Sequence, residues 1–406
     1  MQIFLKKSKI SAFSELKITG SKSESNRVLL LQALYEGLTI SNLSNSDDSQ
    51  LMQKAIASKD DTVDIHHAGT AMRFLTAYFA TRVGKSTTLT GSERMQERPI
   101  KILVDALNSL GASISYTKKE GYPPLLIQGK ALSKSVVRLK ANVSSQYISA
   151  LLLIAPTLQH GLTLHLEGEI TSTPYINMTL SLLSDLGVQS TFESNTITVQ
   201  PFSGLVDKKF TVESDWSSAS YFYSIVALSP VGTQINISAY KPNSLQGDAV
   251  LKDIYQKLGV ESTFEGTVLS LKKADTPLIK KLTLDLANAP DIAQTIAVTC
   301  LGLQLDCDLT GLHTLKIKET DRLVALQNEI KKLGTSIEIT NDSLHLKSPS
   351  LLRSGVHIAT YNDHRMAMAF APLALKTEFC IDDAEVVSKS YPDFWEDLSA
   401  LGFEMN

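Results

Sequence analysis

An amphipathic helix, a Leu-Gly pair and an alternating strand recur in this order along the chain. In the first clear copy, apolar positions at helical spacing predict a helix at 102–110, and Gly111 is placed to end it in the left-handed conformation. The glycines lie about 70 residues apart, a period typical of repeated supersecondary units. The repeats end at Gly111, Gly187, Gly259, Gly334 and Gly402, and a degenerate copy without its glycine and strand covers 50–57.

Three other segments are apolar on nearly every side. Residues 145–156, 219–228 and 292–303 carry few charges and have helical length. Helices that are apolar all round belong inside a domain. With six repeats, three in each half, the pattern predicts an α/β protein of two similar domains that enclose buried helices, the second half beginning near 213–215.

Composition narrows the class of protein. The chain has 406 residues, 43% hydrophobic and 20% charged, and a net charge of −3, which argues against a general nucleic-acid-binding surface. Cys300, Cys307 and Cys380 show no metal-ligand spacing, so a reduced, cytoplasmic setting is expected. We also expect no membrane segment, because no apolar run approaches 18 residues.

Hydroxyl and cationic side chains cluster where apolar helices begin. The segment GSKSESNR at 20–27 follows a strand-like run and opens a helix. The first helical turn has unpaired N–H groups and the positive end of the dipole, so Lys22, Arg27 and the serines predict a site for an anion such as phosphate. The alternative is a capped helix with solvated charges.

Comparable clusters occur in both halves of the chain. If these clusters face one cleft, their cations would attract small anionic ligands despite the net negative charge of the protein. Asp291 and Glu319 are the acidic groups suited to proton transfer. Lys318 and Arg322 are four residues apart and are expected to share one helix face, where they repel unless an anion lies between them. The cations of these clusters are Lys22, Arg27, Arg98, Lys318, Arg322, Arg365 and Lys389.

Other chemistries have little support. No Walker loop, nucleophile elbow or dinucleotide-binding fingerprint is present. Adjacent His66 and His67 lack a third ligand at a useful spacing, so we expect no metal. At Arg98, a solvated pair with Glu97 is the alternative to anion binding. The pattern favours transfer chemistry on anionic substrates without a metal.

The clusters, in this order, resemble those of the 5-enolpyruvylshikimate-3-phosphate synthases. The resemblance covers nearly the whole chain, and KETDR with NDHRMAM is its most specific part. The segments are GSKSESNR at 20–27, AGTAMR at 68–73, ERPI at 97–100, SSQYISALL at 144–152, DWSSASYF at 215–222, SLQGD at 244–248, PDIAQTIA at 290–297, KETDRL at 318–323, NDHRMAM at 362–368 and SKSYPDFW at 388–395.

The resemblance implies a reaction and a fold. The family transfers the enolpyruvyl group of phosphoenolpyruvate to the 5-hydroxyl of shikimate 3-phosphate and releases phosphate, on the pathway to chorismate, without a cofactor. Its fold is two inverse α/β-prism domains, each of three repeated units. Here these domains would be 1–20 with 214–406, and an inserted 21–213, with the active-site cleft between them.

The resemblance also implies roles for residues. Glu319 would protonate the methylene carbon of phosphoenolpyruvate and later remove a proton, Asp291 would accept the hydroxyl proton, and Lys22 would assist the leaving phosphate. Shikimate 3-phosphate would be held by Lys22, Ser23, Arg27, Ser144, Ser145, Gln146, Ser172, Tyr175, Asp291 and Lys318. Phosphoenolpyruvate would be held by Lys22, Gly69, Arg98, Gln146, Arg322, Arg365 and Lys389.

The chain departs from the family pattern in places. His67 stands where asparagine is usual, Phe74 where proline is common, and Thr314 where some members carry asparagine; the segment before His66 is short. Gly69 is typical of glyphosate-sensitive members. Two alternatives are the enolpyruvyl transferase acting on UDP-N-acetylglucosamine, which usually carries a loop cysteine that is missing here, and an inactive anion-binding module. We expect a monomer, since no exposed apolar stripe stands out.

Overall fold

The chain forms two compact units. The terminal unit consists of Met1–Thr19 and Glu213–Asn406, and the inserted unit consists of Gly20–Val212. Each contains its own cluster of buried apolar side chains. The structure, a computed structural model, describes residues 1–140, 145–168, 170, 173–204, 206–277, 279–348 and 351–406.

Helices and short strands alternate through both units. Among the described helices, none is long and apolar enough to cross a membrane. The α-helices are α1 (Lys22–Leu34), α2 (Asp47–Ala57), α3 (Gly69–Ala80), α4 (Glu93–Gln96), α5 (Lys101–Ser109), α6 (Ser145–Ile154), α7 (Thr173–Asp185), α8 (Trp216–Leu228), α9 (Leu251–Gln256), α10 (Ala293–Gly302), α11 (Arg322–Lys332), α12 (His364–Phe370) and α13 (Phe394–Leu401). The strands are β1 (Ile3–Leu5), β2 (Phe13–Leu16), β3 (Leu38–Ser41), β4 (Thr62–Asp64), β5 (Ser86–Thr90), β6 (Ser113–Tyr116), β7 (Leu125–Gln128), β8 (Val136–Lys140), β9 (Leu162–Glu167), β10 (Ser190–Glu193), β11 (Thr196–Val199), β12 (Lys208–Thr211), β13 (Gln234–Ile237), β14 (Val260–Glu265), β15 (Val268–Lys273), β16 (Lys281–Asp285), β17 (Asp306–Thr310), β18 (Ile337–Ile339), β19 (Leu344–Leu346), β20 (Val356–Ile358) and β21 (Phe379–Ile381).

Among the described residues each unit carries three sheets, in agreement with the three predicted repeats in each half. The inserted unit has β4-β5-β7-β6, β8-β9-β11-β10 and the pair β3-β12. The terminal unit has β2-β13-β15-β14, β16-β17-β19-β18 and β1-β21-β20. In the four-stranded sheets, a parallel pair is followed by two antiparallel strands. The two-stranded sheet belongs to the repeat whose sequence lacks the Leu-Gly turn.

The Leu-Gly turns end helices as predicted. Helices α5, α7, α9, α11 and α13 lie at the predicted positions. A left-handed residue at this point lets the chain reverse and begin the next strand, and glycine adopts it without a Cβ clash. The glycines that follow these helices all have positive φ: Gly111 (107°), Gly187 (93°), Gly259 (80°), Gly334 (95°) and Gly402 (105°).

The predicted apolar helices are buried, and only their first turns are partly accessible. In α3, α6 and α8, every described residue is buried except Thr70, Gln146 and Ser217, one near the start of each helix. All residues of α10 and α12 are buried. Burial in the apolar interior therefore holds these helices in place, and the polar residues of their first turns lie at the surface of each unit.

We predict that Gly259→Ala destabilises the terminal unit more than Gly334→Ala. Both replace a left-handed helix-terminal glycine, which by itself costs about 1–2 kcal/mol. A Cβ at 259 would collide with the rigid carbonyl oxygen of Asp275, whereas at 334 it meets the flexible Arg353 side chain at 3.2 Å. Urea unfolding followed by tryptophan fluorescence reports this unit, because both tryptophans, Trp216 and Trp395, belong to it. Equal losses would contradict the prediction.

Candidate active site

Arg322 is the central side chain of an ionic cluster in the terminal unit. Its side chain is only 2% exposed. Nε donates to Asp363 Oδ2 at 2.6 Å, Nη1 to Asp291 Oδ1 at 2.9 Å and Nη2 to Glu319 Oε2 at 2.9 Å. The local sequence fixes this position, since Asp321 caps α11, which begins at Arg322. A planar guanidinium can bond several carboxylates at once, which a lysine cannot do.

Asp291 collects cations from three segments. Besides Arg322, Lys318 Nζ lies 3.2 Å from Oδ1 and Arg365 Nη2 lies 3.3 Å from Oδ2. Burial by itself disfavours ionisation of Asp291, but the charges of Lys318, Arg365 and Arg322 outweigh it and hold the pKa of this carboxyl well below its usual range. Asp291 is therefore firmly anionic in this arrangement.

Lys318 does not lie on a helix with Arg322. The expectation of a shared helix face is wrong, because Lys318 follows the 3₁₀ helix His313–Ile317 and α11 starts only at Arg322. The polar residues between them form a cap, since Asp321 satisfies the first N–H groups of α11. The two cations nevertheless converge, and the anion that lies between them is Asp291.

Glu319 joins a further cation to the cluster. Its Oε1 lies 2.9 Å from Lys389 Nζ, while Oε2 accepts from Arg322. The side chain is 14% exposed, so the carboxylate remains accessible to a small ligand. Six predicted residues thus form one connected group: Asp291, Lys318, Glu319, Arg322, Arg365 and Lys389.

A hydroxyl and a second buried carboxylate support Arg365. Arg365 Nη2 donates to Ser217 Oγ at 3.2 Å, and Ser217 in turn donates to Asp248 in a short hydrogen bond. Burial raises the pKa of Asp248 to about 6, against the opposing effect of Arg365. This chain from α8 to the 3₁₀ helix Gly247–Val250 orients the guanidinium that contacts Asp291.

The inserted unit presents predicted residues at the starts of α1, α3 and α6 and in the loop between α4 and α5. Lys22 Nζ lies 3.5 Å from Asp48 Oδ2. Gly69 packs directly on Arg98, and a Cβ at this position would collide with Nη1 of that guanidinium. Glu97 pairs with Arg94 at 2.9 Å, not with Arg98 as the alternative to anion binding supposed. Gln146 Nε2 donates to Thr70 Oγ1 at 3.2 Å.

Arg73 fixes the segment around Gly69 and Arg98. Its Nη1 donates to Gly69 O and its Nη2 to Pro99 O, both at 3.1 Å. Tyr147 OH donates to the same Pro99 carbonyl at 2.6 Å. Burial lowers the pKa of Arg73 to about 10, yet this buried arginine links the start of α3 to the loop that carries Arg98.

Arg27 is more buried than its predicted role would suggest. Nε donates to Thr179 Oγ1 at 2.8 Å, Nη1 to Ser23 O at 2.7 Å and Nη2 to Ser149 Oγ at 3.0 Å. The guanidinium carbon also lies 5.3 Å from the centre of the Phe74 ring, the residue that departs from the family pattern. Burial lowers the pKa of Arg27 to about 10.

Ser145 and Tyr175, also predicted from the sequence, lie at helix starts. Ser145 begins α6 and is buried, and Tyr175 lies in the first turn of α7, its ring centre 6.0 Å from the Arg27 guanidinium carbon. Ser144 and Ser172 fall outside the described residues.

Sequence reasoning missed the counter-ions and the supporting hydroxyl. Asp48, Asp248 and Asp363 are buried beside Lys22, Arg365 and Arg322, and Ser217 joins Asp248 to Arg365. Asp363 has a local signal, because it precedes an apolar helix and caps α12 by accepting from Arg365 N at 2.9 Å. The pairing of the others depends on contacts distant in sequence.

Comparison with known proteins identifies the family of this chain. A family model described as EPSP synthase (3-phosphoshikimate 1-carboxyvinyltransferase) matches residues 53–398. A 3-phosphoshikimate 1-carboxyvinyltransferase of Bacteroides fragilis is 48% identical, over 97% of this chain and 97% of that protein. The chain belongs to the EPSP synthase family. A second EPSP synthase relative, from Mannheimia haemolytica, is 35% identical over 95% of this chain and 96% of that protein.

Solved structures confirm the EPSP synthase fold. The EPSP synthase from Acinetobacter baumannii superposes with a TM-score of 0.83 at 20% identity, covering 100% of this chain and 99% of that one. The enolpyruvyl transferase NikO from Streptomyces tendae has a TM-score of 0.75 at 14% identity, covering 100% and 98%. The predicted inverse α/β fold is thus confirmed.

We predict that Asp248→Asn gains stability, relative to the unmodified chain, as pH rises. The pKa of Asp248 is 3.8 ordinarily and about 6 in the folded protein, so between these values the folded state keeps a proton that the unfolded chain has lost. As pH rises, ionisation of Asp248 therefore lowers the free energy of unfolding of the unmodified chain by up to about 3 kcal/mol. Nearly half of this loss occurs between pH 5 and pH 8.

Urea unfolding followed by tryptophan fluorescence at both pH values measures this difference. Ser217→Ala is the control: it keeps the buried carboxylate and removes a hydrogen bond that lowers the pKa of Asp248, so the pH dependence should persist or increase. Parallel curves for the unmodified chain and Asp248→Asn would contradict the assignment.

Proposed function

We infer that this chain is a 3-phosphoshikimate 1-carboxyvinyltransferase. It transfers the enolpyruvyl group of phosphoenolpyruvate to the 5-hydroxyl of shikimate 3-phosphate and releases phosphate, in the shikimate pathway to chorismate and aromatic amino acids. The observation that carries this conclusion is the connected group of Asp291, Glu319 and four cations, in a chain 48% identical to a protein of that name.

Both substrates are polyanions, and the predicted ligands include seven cations, of which Lys22, Arg322 and Arg365 lie in the first turns of helices. We propose that the two units are the two domains of a monomeric enzyme, and that residues of both contribute to binding. Phosphoenolpyruvate contacts Lys22, Gly69, Arg98, Gln146, Arg322, Arg365 and Lys389. Shikimate 3-phosphate contacts Lys22, Ser23, Arg27, Ser144, Ser145, Gln146, Ser172, Tyr175, Asp291 and Lys318.

The proposed reaction has an addition step and an elimination step. In the addition, Glu319 donates a proton to the methylene carbon of phosphoenolpyruvate, and the 5-hydroxyl oxygen bonds to the adjacent carbon while Asp291 accepts the hydroxyl proton. In the elimination, Glu319 takes a proton back from the new methyl group as the bond to the phosphate oxygen breaks, and the proton held by Asp291 leaves with the phosphate. Lys22 stabilises the charge of the leaving phosphate.

Cationic side chains supply most of the proposed catalytic advantage. They hold two mutually repelling anions close together, which replaces a bimolecular encounter by an oriented one. The fixed charges also stabilise developing negative charge without reorganisation during the reaction. The steps are proton transfers with formation and cleavage of C–O bonds, so the proposal assigns no cofactor and no metal to them.

Phosphate release from phosphoenolpyruvate tests this function. We expect release in buffer containing a chelator, and only when shikimate 3-phosphate is present. Release that requires UDP-N-acetylglucosamine instead would identify the related transferase. No release with either acceptor would favour the inactive anion-binding module.

A variant of Glu319 checks the role of the proposed proton carrier within the same assay. Glu319→Gln keeps the size of the side chain but cannot cycle a proton, so turnover should fall by about 10²-fold or more while shikimate 3-phosphate still binds. Glu338→Gln, on the exposed β18 position, is the control and should turn over normally. Retained turnover in Glu319→Gln would assign the proton transfer to another group.

We predict competitive inhibition by glyphosate against phosphoenolpyruvate, weakened in Gly69→Ala. An alanine Cβ would push the Arg98 guanidinium from its place, so the KM for phosphoenolpyruvate should rise by about tenfold, with a smaller effect on kcat. Gly84→Ala is the control for loss of stability in the same unit: its Cβ meets no atom within 4 Å but the residue takes a left-handed φ of 80°, so it should lower stability without raising this KM. Full activity of the unmodified enzyme in millimolar glyphosate would contradict the prediction.

A further inference from the structure

One face of the sheet β1-β21-β20 carries metal-ligating side chains. His357 on β20 is paired with Cys380 on the central strand β21, and neighbours in register point to the same face. Asp382 lies two residues beyond Cys380 and so returns to this face. Gln2 extends β1 on the other side, because Ile3 pairs with Ile381.

The opposite face of the same sheet lies in the core. Leu5, Ile358, Phe379 and Ile381 are each 0% exposed and belong to the buried apolar cluster of the terminal unit. The strand alternation is therefore fixed by burial, and a slip of one residue would bury the polar groups. The positions of His357, Cys380 and Asp382 on the face opposite the core are therefore fixed by the fold.

The donor atoms of this set lie close together. His357 Nδ1, Cys380 Sγ and a carboxylate oxygen of Asp382 all lie within 4.8 Å of one another. His357 Nδ1 is 3.2 Å from Asp382 Oδ1, which also accepts from Gln2 Nε2 at 2.8 Å. Donors around tetrahedral zinc are roughly 3.4–3.7 Å apart, given bonds of 2.0–2.3 Å, so side-chain rotations suffice to form such a site.

Of the four histidine–aspartate pairs among the described residues, that of His66 with Asp64 belongs to no cluster of three ligand residues, and two others have a competing cation. Asp308, the partner of His345, is also paired with Lys281, and Asp363, the partner of His364, is also paired with Arg322. Such neighbouring cations disfavour a metal ion. The Asp382 carboxylate bonds to His357 and the neutral Gln2, and no described lysine or arginine lies within ion-pair distance of it.

We propose that His357, Cys380 and Asp382 bind one zinc ion, with the Gln2 amide oxygen or water as the fourth ligand. The thiol suits a borderline-soft metal and selects against magnesium and calcium, which prefer oxygen ligands. On coordination Cys380 binds as thiolate and releases its proton to the solvent. His357 is 60% exposed and Asp382 29% exposed, so the ion can enter from the surface, while Cys380, 6% exposed, forms the floor.

The site lies outside the cluster of Asp291 and Arg322, since the two share no residue. A bound ion would tie β1, from the start of the chain, to β20 and β21 near its end. Zinc that binds only the folded state raises its stability, so the expected role is structural. The enolpyruvyl transfer would continue in chelator, with a terminal unit that unfolds at lower temperature.

The test uses full-length protein with any affinity tag removed. Equilibrium dialysis against zinc should give one equivalent bound, and cadmium should give the ultraviolet band of a thiolate–metal bond. Cys380→Ser and His357→Gln should each weaken binding by about tenfold or more and abolish the zinc-dependent rise in melting temperature. Both variants should keep enolpyruvyl transfer.

His345→Gln is the matched control, because it alters a half-buried histidine whose aspartate already has a lysine partner. It should bind zinc like the unmodified chain. Should Cys380→Ser fail to fold, the exposed His357→Gln decides the question. Absence of the thiolate band, or equal zinc binding by the unmodified chain and His357→Gln, would overturn the proposal.

Discussion

The arrangement of the terminal-unit cluster depends on one buried guanidinium with three carboxylates. Arg322 is 2% exposed and bonds Asp291, Glu319 and Asp363 simultaneously. Burying that charge costs several kcal/mol, which is recovered only if every carboxylate keeps its geometry. Burial by itself favours the neutral form of Arg322, but Asp363, Glu319 and Asp291 outweigh it and raise its pKa. The starts of α11 and α12 and the segment before α10 are therefore positioned together.

The repeated fold explains why such groups gather at helix starts. Helices α3, α6, α8, α10 and α12 are enclosed within their units and buried beyond their first turns. Polar side chains on these helices can therefore reach the surface only near the helix ends. An enclosed helix still has unpaired N–H groups in its first turn, and these need acceptors or anions. Hydroxyl and carboxylate oxygens accept from these N–H groups, as Asp321 and Asp363 do, and nearby cations add to the positive potential that attracts an anion. Three repeats in each unit supply several such turns without long loops.

Local sequence patterns were sufficient to predict most of the fold. Contacts between residues distant in sequence limited how much of the candidate active site could be predicted. The Leu-Gly turns predicted α5, α7, α9, α11 and α13, because a left-handed glycine is a local requirement of the chain. The charged segment 316–323 was misread as one helix face. Residues that cap a helix and residues that bind an anion are of the same types, so composition does not separate them. Asp48 and Asp248 were not assigned, because a buried counter-ion is chosen by packing across the fold. His357 and Cys380 likewise meet only through strand register.

Asp291 raises a question that the proposed reaction must answer. A carboxylate held well below its usual pKa is a weak base, yet it is proposed to take a proton from a hydroxyl. Its low pKa arises from Lys318, Arg365 and Arg322, which are also the proposed ligands of the substrates. When phosphate and carboxylate groups of the substrates share these cations, less positive potential remains at Asp291, and its pKa rises. The base would then become competent only with both anions bound, which ties proton removal to the complete complex and protects phosphoenolpyruvate from attack by water.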